Sequence, residues 1–153
     1  MDSKIRHRLN SFSEDMLLHY ATPNQSLIVE LMQFDASTLS SLTQEDLSRY
    51  IFVLGQYLVL LQHNENMKNI EYKLSQKDYE YNLSKEKFVR YNVVGKSEKE
   101  RNNWIIINVP EIKKLYDAVL AKEAEKMLID GMVRAVEGLL NALKKEISLR
   151  FAA

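Results

Sequence analysis

The stretch between Thr43 and Gly95 contains a single glycine, Gly55, and no proline. These two residue types interrupt helices most strongly, so their scarcity favours one helix of unusual length. Thr43 is followed by two acids within three positions, which is typical of a helix N-cap with carboxylates near the positive end of the helix dipole. We therefore predict a long helix over residues 44–92.

The chain is predicted to reverse direction at Gly95, because glycine readily takes the backbone conformation that ends a helix. Ser97 and Glu100 have the spacing of a capping box, which predicts a short helix over 97–107. Its isoleucines at 105–107 fit either a helix or a short extended kink. Pro110 suits a first helical turn and predicts a long return helix over 110–151.

We expect an all-α protein in which residues 1–153 form one domain. The fold class is a long antiparallel helical hairpin, or coiled-coil arm, on a small helical bundle, with short helices in residues 1–43. Residues 50–61 are apolar nearly all round and should be buried on more than one side, against the far end of the return helix. A two-helix arm buries little surface by itself, so self-association is also expected.

The return helix has an apolar stripe in which most residues lie three or four positions apart. Gly131 and Gly138 stand within this part of the chain, and we interpret them as sites of close helix packing. The predicted stripe consists of Ile112, Tyr116, Val119, Met127, Leu128, Met132, Ala135, Leu139, Leu143 and Ile147.

A second apolar pattern in the first long helix repeats every seven residues, as in a coiled-coil seam. It begins at Leu60, has Ile70 three residues after one member, and is interrupted by Lys77 and Ser84. The residues proposed for contact with a protein partner are Met67, Leu74, Tyr81 and Phe88.

Composition excludes several classes of protein. The 21 basic and 21 acidic residues cancel, and cysteine is absent, so disulfides and thiolate sites are ruled out. No histidine shares a helix face with paired carboxylates, and no phosphate loop or hydrolase motif occurs. We predict no enzymatic activity, no metal and no cofactor. No apolar run is long enough to span a membrane, and we expect a cytoplasmic protein.

Between positions 66 and 104 nine basic residues stand against six acids, with six aromatic residues interleaved. Cations neutralise phosphates and aromatic faces stack on bases, so single-stranded nucleic acid suits this composition. An ordinary solvated helix surface explains the same mixture, and both interpretations stay open. The candidate nucleic-acid-binding residues are Lys85, Lys87, Arg90, Tyr91, Lys96, Lys99, Arg101 and Trp104.

The order of an apolar helix, a charged arm, a basic and aromatic tip and a long return helix resembles the UvsY-type recombination mediators of tailed phages. The resemblance covers residues 45–151, and its closest local match is the segment 85–91, Lys-Glu-Lys-Phe-Val-Arg-Tyr. Residues 1–43 and 104–110 have no counterpart in that layout.

The resemblance implies a non-enzymatic oligomer in the host cytoplasm that binds single-stranded DNA and helps to load a RecA-like recombinase. It also implies that Lys85 and Lys87 form the DNA-binding pair. The alternative is a structural or adaptor protein, such as a phage assembly or inhibitor protein, that binds another helix through its coiled-coil face.

Overall fold

A computed structural model describes residues 24–90 and 97–152. Every regular element in these two ranges is helical, so the all-α prediction is confirmed. The part of the predicted short helices that falls in residues 1–23 lies outside the described residues. The elements are α1 (Gln25–Met32), a 3₁₀ helix (Ala36–Ser41), α2 (Gln44–Val89), α3 (Glu98–Asn108) and α4 (Pro110–Ala152).

The predicted helix starts are confirmed by their caps. The backbone N–H of Asp46 donates to Oγ1 of Thr43 at 3.0 Å, and the Thr43 hydroxyl donates to Oδ2 of Asp46 at 2.6 Å. At α3 the N–H of Glu100 donates to Oγ of Ser97, while the N–H of Ser97 donates to the Glu100 carboxylate. These bonds satisfy amides that have no partner within the helix, which fixes where each helix begins.

A single extended residue, Val109, separates α3 from α4. The isoleucines at 105–107 are helical, and Ile105 is buried. Pro110 then opens α4, where its missing N–H leaves no helical bond unmade. Of the two possibilities left by the sequence, the helix is correct.

The chain is organised as two compact units. Unit 1 contains the residues up to Asn66 and from Met127 onward, and unit 2 is Met67–Lys126. Helices α2 and α4 contribute to both. The prediction of one domain over 1–153 therefore stays a prediction.

Unit 1 has an apolar core contributed by α1, α2 and α4. The first half of α2 provides Leu54, among others, and its Ile51 and Leu58 are partly buried against this core, while Phe52 and Val59 are exposed. The guanidinium of Arg150 donates to the carbonyls of Leu39, Ser40 and Leu42. The buried core residues are Ile28, Leu31, Leu47, Val53, Leu54, Tyr57, Leu61, Ile129, Val133, Val136, Leu140 and Leu143.

Between residues 127 and 139 the predicted stripe of α4 is only partly correct, because Met132 and Leu139 are partly buried against the core of unit 1 but do not form its fully buried face. Met127 is 67% exposed, whereas its second neighbour Ile129 is fully buried. The buried face in unit 1 continues through Val133, Val136 and Leu140. It is displaced by one residue from most of the predicted positions, a rotation of about 100° around the helix.

The interpretation of the helical glycines is also wrong. A methyl group built on Gly131 or Gly138 meets nothing within 4 Å, and the same holds for Gly55. Among the described residues, no backbone or side chain therefore requires glycine at these positions.

Unit 2 has a smaller apolar cluster, formed where the end of α2 meets α3 and the start of α4. Its buried members are Leu83, Ile105, Val109 and Ile112. Trp104 and Tyr79 are partly buried against this cluster. The ring of Tyr79 is also tilted against Tyr116 of α4 at a centroid distance of 5.6 Å.

Candidate nucleic-acid and protein-interaction surfaces

A basic pocket lies in unit 2 between the end of α2 and α3. Lys87 and Arg90 are three residues apart and project from the same side of their segment, as do Arg101 and Trp104 of α3. The enclosed volume is about 190 Å³. We call the set that lines it the basic pocket: Lys87, Arg90, Glu98, Arg101, Trp104 and Ile105.

Two of its three cations are paired with carboxylates. Nζ of Lys87 is 2.9 Å from Oε1 of Glu98, and Nε of Arg90 is 2.7 Å from Oε2 of Glu86. The hydrogen bond from Lys87 lowers the pKa of Glu98, and the charges of Lys87 and Arg101 act in the same direction. The three cations thus exceed these two carboxylates by one charge, and an anion has to replace Glu98 at Lys87.

The aromatic wall of the basic pocket is held in place by the core of unit 2. Trp104 is half-buried against the apolar cluster, and the next residue, Ile105, is a buried member of that cluster. An indole fixed in this way presents a flat surface without a large loss of side-chain entropy on binding. The pocket therefore combines cations with a fixed aromatic ring.

The remaining predicted nucleic-acid residues are placed differently. Lys85 does not line the basic pocket, and its Nζ is 4.5 Å from the ring centroid of Tyr81. Two positions along a helix correspond to a rotation of about 200°, which separates Lys85 from Lys87. Lys99 is exposed outside the pocket lining. Tyr91 and Lys96 lie outside the described residues.

Glu98 is a pocket residue that sequence reasoning missed. It is the first residue of α3, directly after the Ser97 cap. Acids are common at that position because of the helix dipole, so its type alone does not indicate a second role. Its contact with Lys87 bridges two helices, and only the fold reveals it.

The predicted coiled-coil seam is open to solvent in this chain. Met67 is 46% exposed, Leu74 63%, Tyr81 62% and Phe88 83%, and Ile70 between them is exposed as well. We call these five residues the apolar stripe. Contiguous exposed apolar surface on a soluble protein commonly marks a contact site.

Part of the contact between α2 and α4 in unit 2 is formed by charged side chains. Nζ of Lys68 lies 3.0 Å from Oε2 of Glu71 and 3.1 Å from Oε2 of Glu125. Nζ of Lys122 lies 2.6 Å from Oε2 of Glu71 and 3.3 Å from Oε2 of Glu125. The hydrogen bond from Lys122 lowers the pKa of Glu71. Burial alone would lower the pKa of Lys122, but its hydrogen bonds and the two carboxylate charges outweigh burial and raise it. We call these four residues the ion-pair network.

Within 24–90 and 97–152, no group of three or more His, Cys, Asp or Glu side chains could hold a metal ion. None of the described helices has the length and apolarity needed to cross a membrane.

No family model matches the sequence, and neither a curated protein nor a solved structure matches it. The fold and the two surfaces define an all-α protein with a basic pocket and an exposed apolar stripe.

Proposed function

We propose that this protein is a non-enzymatic single-stranded DNA-binding protein that uses the basic pocket. The observation that carries the proposal is the convergence of Lys87, Arg90, Arg101 and Trp104 on one cavity. Single-strand binding sites combine cations that follow the phosphates with aromatic rings that stack on bases. These are the two kinds of group that the pocket contains.

The size of the basic pocket limits what enters it. Its volume of about 190 Å³ is below the range of roughly 300–1,000 Å³ that is usual for complete small-molecule sites. A single phosphate or base would fit, with the rest of the strand outside. Arg101 and Lys87 would contact phosphate, and Trp104 would stack on the adjacent base.

The other candidate residues take different places in this proposal. Tyr91, Lys96 and Lys99 are close in sequence to the pocket residues and would extend the path of the strand. Lys85 is left out of the proposed DNA site because it lies over Tyr81, away from the pocket lining.

The layout shared with UvsY-type proteins supports a more specific proposal. The protein would act in phage recombination in the host cytoplasm, helping to load a RecA-like recombinase onto single-stranded DNA. The test is recombinase filament assembly on DNA covered by single-strand-binding protein. Faster assembly with this protein, lost in Lys87→Gln, supports the mediator role.

DNA binding itself is tested by fluorescence anisotropy of a labelled oligothymidine at about 50 and 200 mM salt, a range over which phosphate contacts weaken strongly. Lys87→Gln should weaken binding and reduce the logarithmic salt slope by about 0.7, the value for one contact to a single strand. Lys113→Gln is the matched control, because Lys113 pairs with Asp117 on the exposed surface of α4. Failure of the wild type to bind at the lower salt would reject the proposal.

A second variant tests the role assigned to Glu98. Glu98→Gln removes the carboxylate that occupies Lys87, so DNA affinity should rise severalfold at low salt. Glu111→Gln is the control, since Glu111 is an exposed acid in the first turn of α4 and not a pocket residue. Equal affinity gains in both variants would indicate a general charge effect and would remove Lys87 from the site.

The exposed apolar stripe favours a second candidate, a structural or adaptor protein such as a phage assembly or inhibitor protein. Here the partner is an amphipathic helix that covers the stripe. Binding of a defined protein in a fixed stoichiometry would support this candidate, provided that the binding is lost in Leu74→Glu and retained in Lys87→Gln. Absence of DNA binding at low salt would then decide between the two.

A further inference from the structure

We propose that the apolar stripe pairs with the same stripe of a second copy of this chain, as a parallel and in-register two-helix contact along α2. This proposal does not depend on DNA binding, because the stripe and the basic pocket share no residue. It assigns an occupant, an orientation and a register to a surface that is otherwise only exposed and apolar.

The spacing of the apolar stripe is that of a coiled coil. Met67, Leu74, Tyr81 and Phe88 are seven residues apart, and Ile70 follows Met67 by three. In heptad notation the four are a positions and Ile70 is a d position, which is the pattern that pairs helices in a left-handed coiled coil. A twofold axis parallel to the helices brings the same stripe of both copies together.

A groove of about 280 Å³ lies on the stripe. Ile70, Lys73, Leu74 and Lys77 are among the residues that line it. They stand at i, i+3, i+4 and i+7, the four-residue arrangement that receives one side chain in knobs-into-holes packing. In a parallel in-register pair, that side chain is Leu74 of the second copy.

The charged side chains beside the stripe are complementary in a parallel pair. In this notation Lys73 and Glu80 are g positions, and Asp78 and Lys85 are e positions. A parallel pair brings each g residue beside the e residue five positions later on the other helix. Lys73 then meets Asp78 of the second copy, and Glu80 meets Lys85, so both contacts are attractive and the symmetry doubles them.

All four charged residues are exposed and available for these contacts. Lys85 already leans over Tyr81, an a residue, and Glu80 accepts a hydrogen bond from Gln76 at 3.0 Å. Both interactions are local to α2 and leave the side chains on the flanks of the stripe. In an antiparallel pair, g positions lie beside g positions and e positions lie beside e positions, so the two g-to-e contacts would not form.

Lys77 limits the strength of the contact. It occupies the d position after Ile70, where the two copies would bring their ammonium groups close together. A single charged core residue lowers stability but restricts register and oligomeric state. We therefore expect a reversible association.

The experiment is sedimentation equilibrium of the full chain from about 1 to 300 µM, concentrations that bracket reversible affinities. The wild type should associate reversibly. Leu74→Glu should weaken association on the order of a hundredfold, because each copy loses an apolar knob and gains a charge. Leu120→Glu, at an exposed leucine of α4 outside the stripe, should associate like the wild type.

The orientation is tested by charge reversal. Glu80→Lys and Lys85→Glu should each weaken association on the order of tenfold, and the double variant should recover most of the loss. Lys77→Leu should strengthen association. These positions are exposed, so folding, checked by circular dichroism, should be retained.

A wild type that is monomeric at the highest concentration would overturn the proposal. Association that is unaffected by Leu74→Glu would exclude the stripe as the contact surface. Single charge reversals without effect on association would exclude the parallel register. DNA titrations of Leu74→Glu separate the two proposals, because that variant keeps an intact basic pocket.

Discussion

The two units use the same pair of helices, α2 and α4, with different chemistry. In unit 1 twelve buried apolar residues form the core, including Leu54 and Leu143. In unit 2 only four form a buried cluster, and the ion-pair network occupies part of the contact between α2 and α4. Its apolar stripe is exposed instead.

Different parts of the same two helices are therefore suited to stability and to recognition. Burial of apolar surface is the main favourable contribution to folding, so we expect unit 1 to be the principal source of stability. An intact charged pair in a partly buried contact adds little net stability, but removal of one partner is costly because it leaves the other charge without compensation. In unit 2 the residues of the apolar stripe on α2 are left available for another molecule.

The largest effect that tests this comparison is a leucine truncation in each unit. Leu54→Ala should lower the free energy of unfolding by about 3 kcal/mol, because Leu54 is completely buried and leaves a cavity. Leu74→Ala, in the same helix but 63% exposed, should change it by less than about 0.5 kcal/mol at concentrations where the protein is monomeric. Urea unfolding measures both, and equal losses would contradict the comparison.

A smaller effect is expected from the ion-pair network. Glu125→Gln should lower the free energy of unfolding by about 2 kcal/mol, since the Glu125 side chain is only 8% exposed and both lysines lose a partner. Asp117→Asn removes an exposed carboxylate from its pair with Lys113 and should have an effect below about 0.5 kcal/mol. A neutral result for Glu125→Gln in thermal and urea unfolding would show that the network is dispensable.

The helical glycines of unit 1 should give a stabilising change. Gly131→Ala and Gly138→Ala should each raise the free energy of unfolding by about 1 kcal/mol, because alanine has the higher helix propensity and its methyl group meets nothing. Calorimetry should show a higher melting temperature for each variant. A lower one would reveal a close approach at these positions in an assembled form.

The smallest effect is the pH dependence contributed by Glu71. Its pKa is held below the ordinary 4.5 in the folded state by the hydrogen bond from Lys122. The stabilisation is therefore present above about that pH and is lost as the pH falls through the lower folded value. The stability difference between wild type and Glu71→Gln should shrink between neutral and strongly acidic pH, and a constant difference would contradict this linkage.

The starts of the helices followed from the sequence because they depend on local chemistry, whereas α2 ends at Val89 and not at the predicted residue 92. Ser97 and Glu100 form the capping box that their spacing indicates, and Pro110 starts α4. Each involves a few consecutive residues and their own backbone amides. Such features need no knowledge of the rest of the fold.

The buried face of α4 did not follow, because its apolar residues occur as neighbours along the chain. Met132 adjoins Val133, and Leu139 adjoins Leu140. Two stripes with the same spacing then differ only by a rotation of the helix, and periodicity does not select one of them. The selection is made by packing against α1 and α2 in unit 1.

The residues of the candidate DNA site were predicted only in part, for a similar reason. Its composition was visible in the sequence, and Lys87, Arg90, Arg101 and Trp104 line one pocket. Adjacent positions in a helix point in different directions, however, so Lys85 was grouped with Lys87 although it lies over Tyr81. The contact of Glu98 with Lys87 joins separate helices and leaves no local signature.

The guanidinium of Arg150 has a consequence for the order of folding during synthesis. It bonds the carbonyl of Leu42, 108 residues earlier in the chain, so this part of unit 1 is completed only after α4 has left the ribosome. Unit 2 consists of residues 67–126 and closes shorter loops. We therefore expect unit 2 to form first on the nascent chain, with the residues of the unit 1 core exposed to chaperones until translation has passed Arg150.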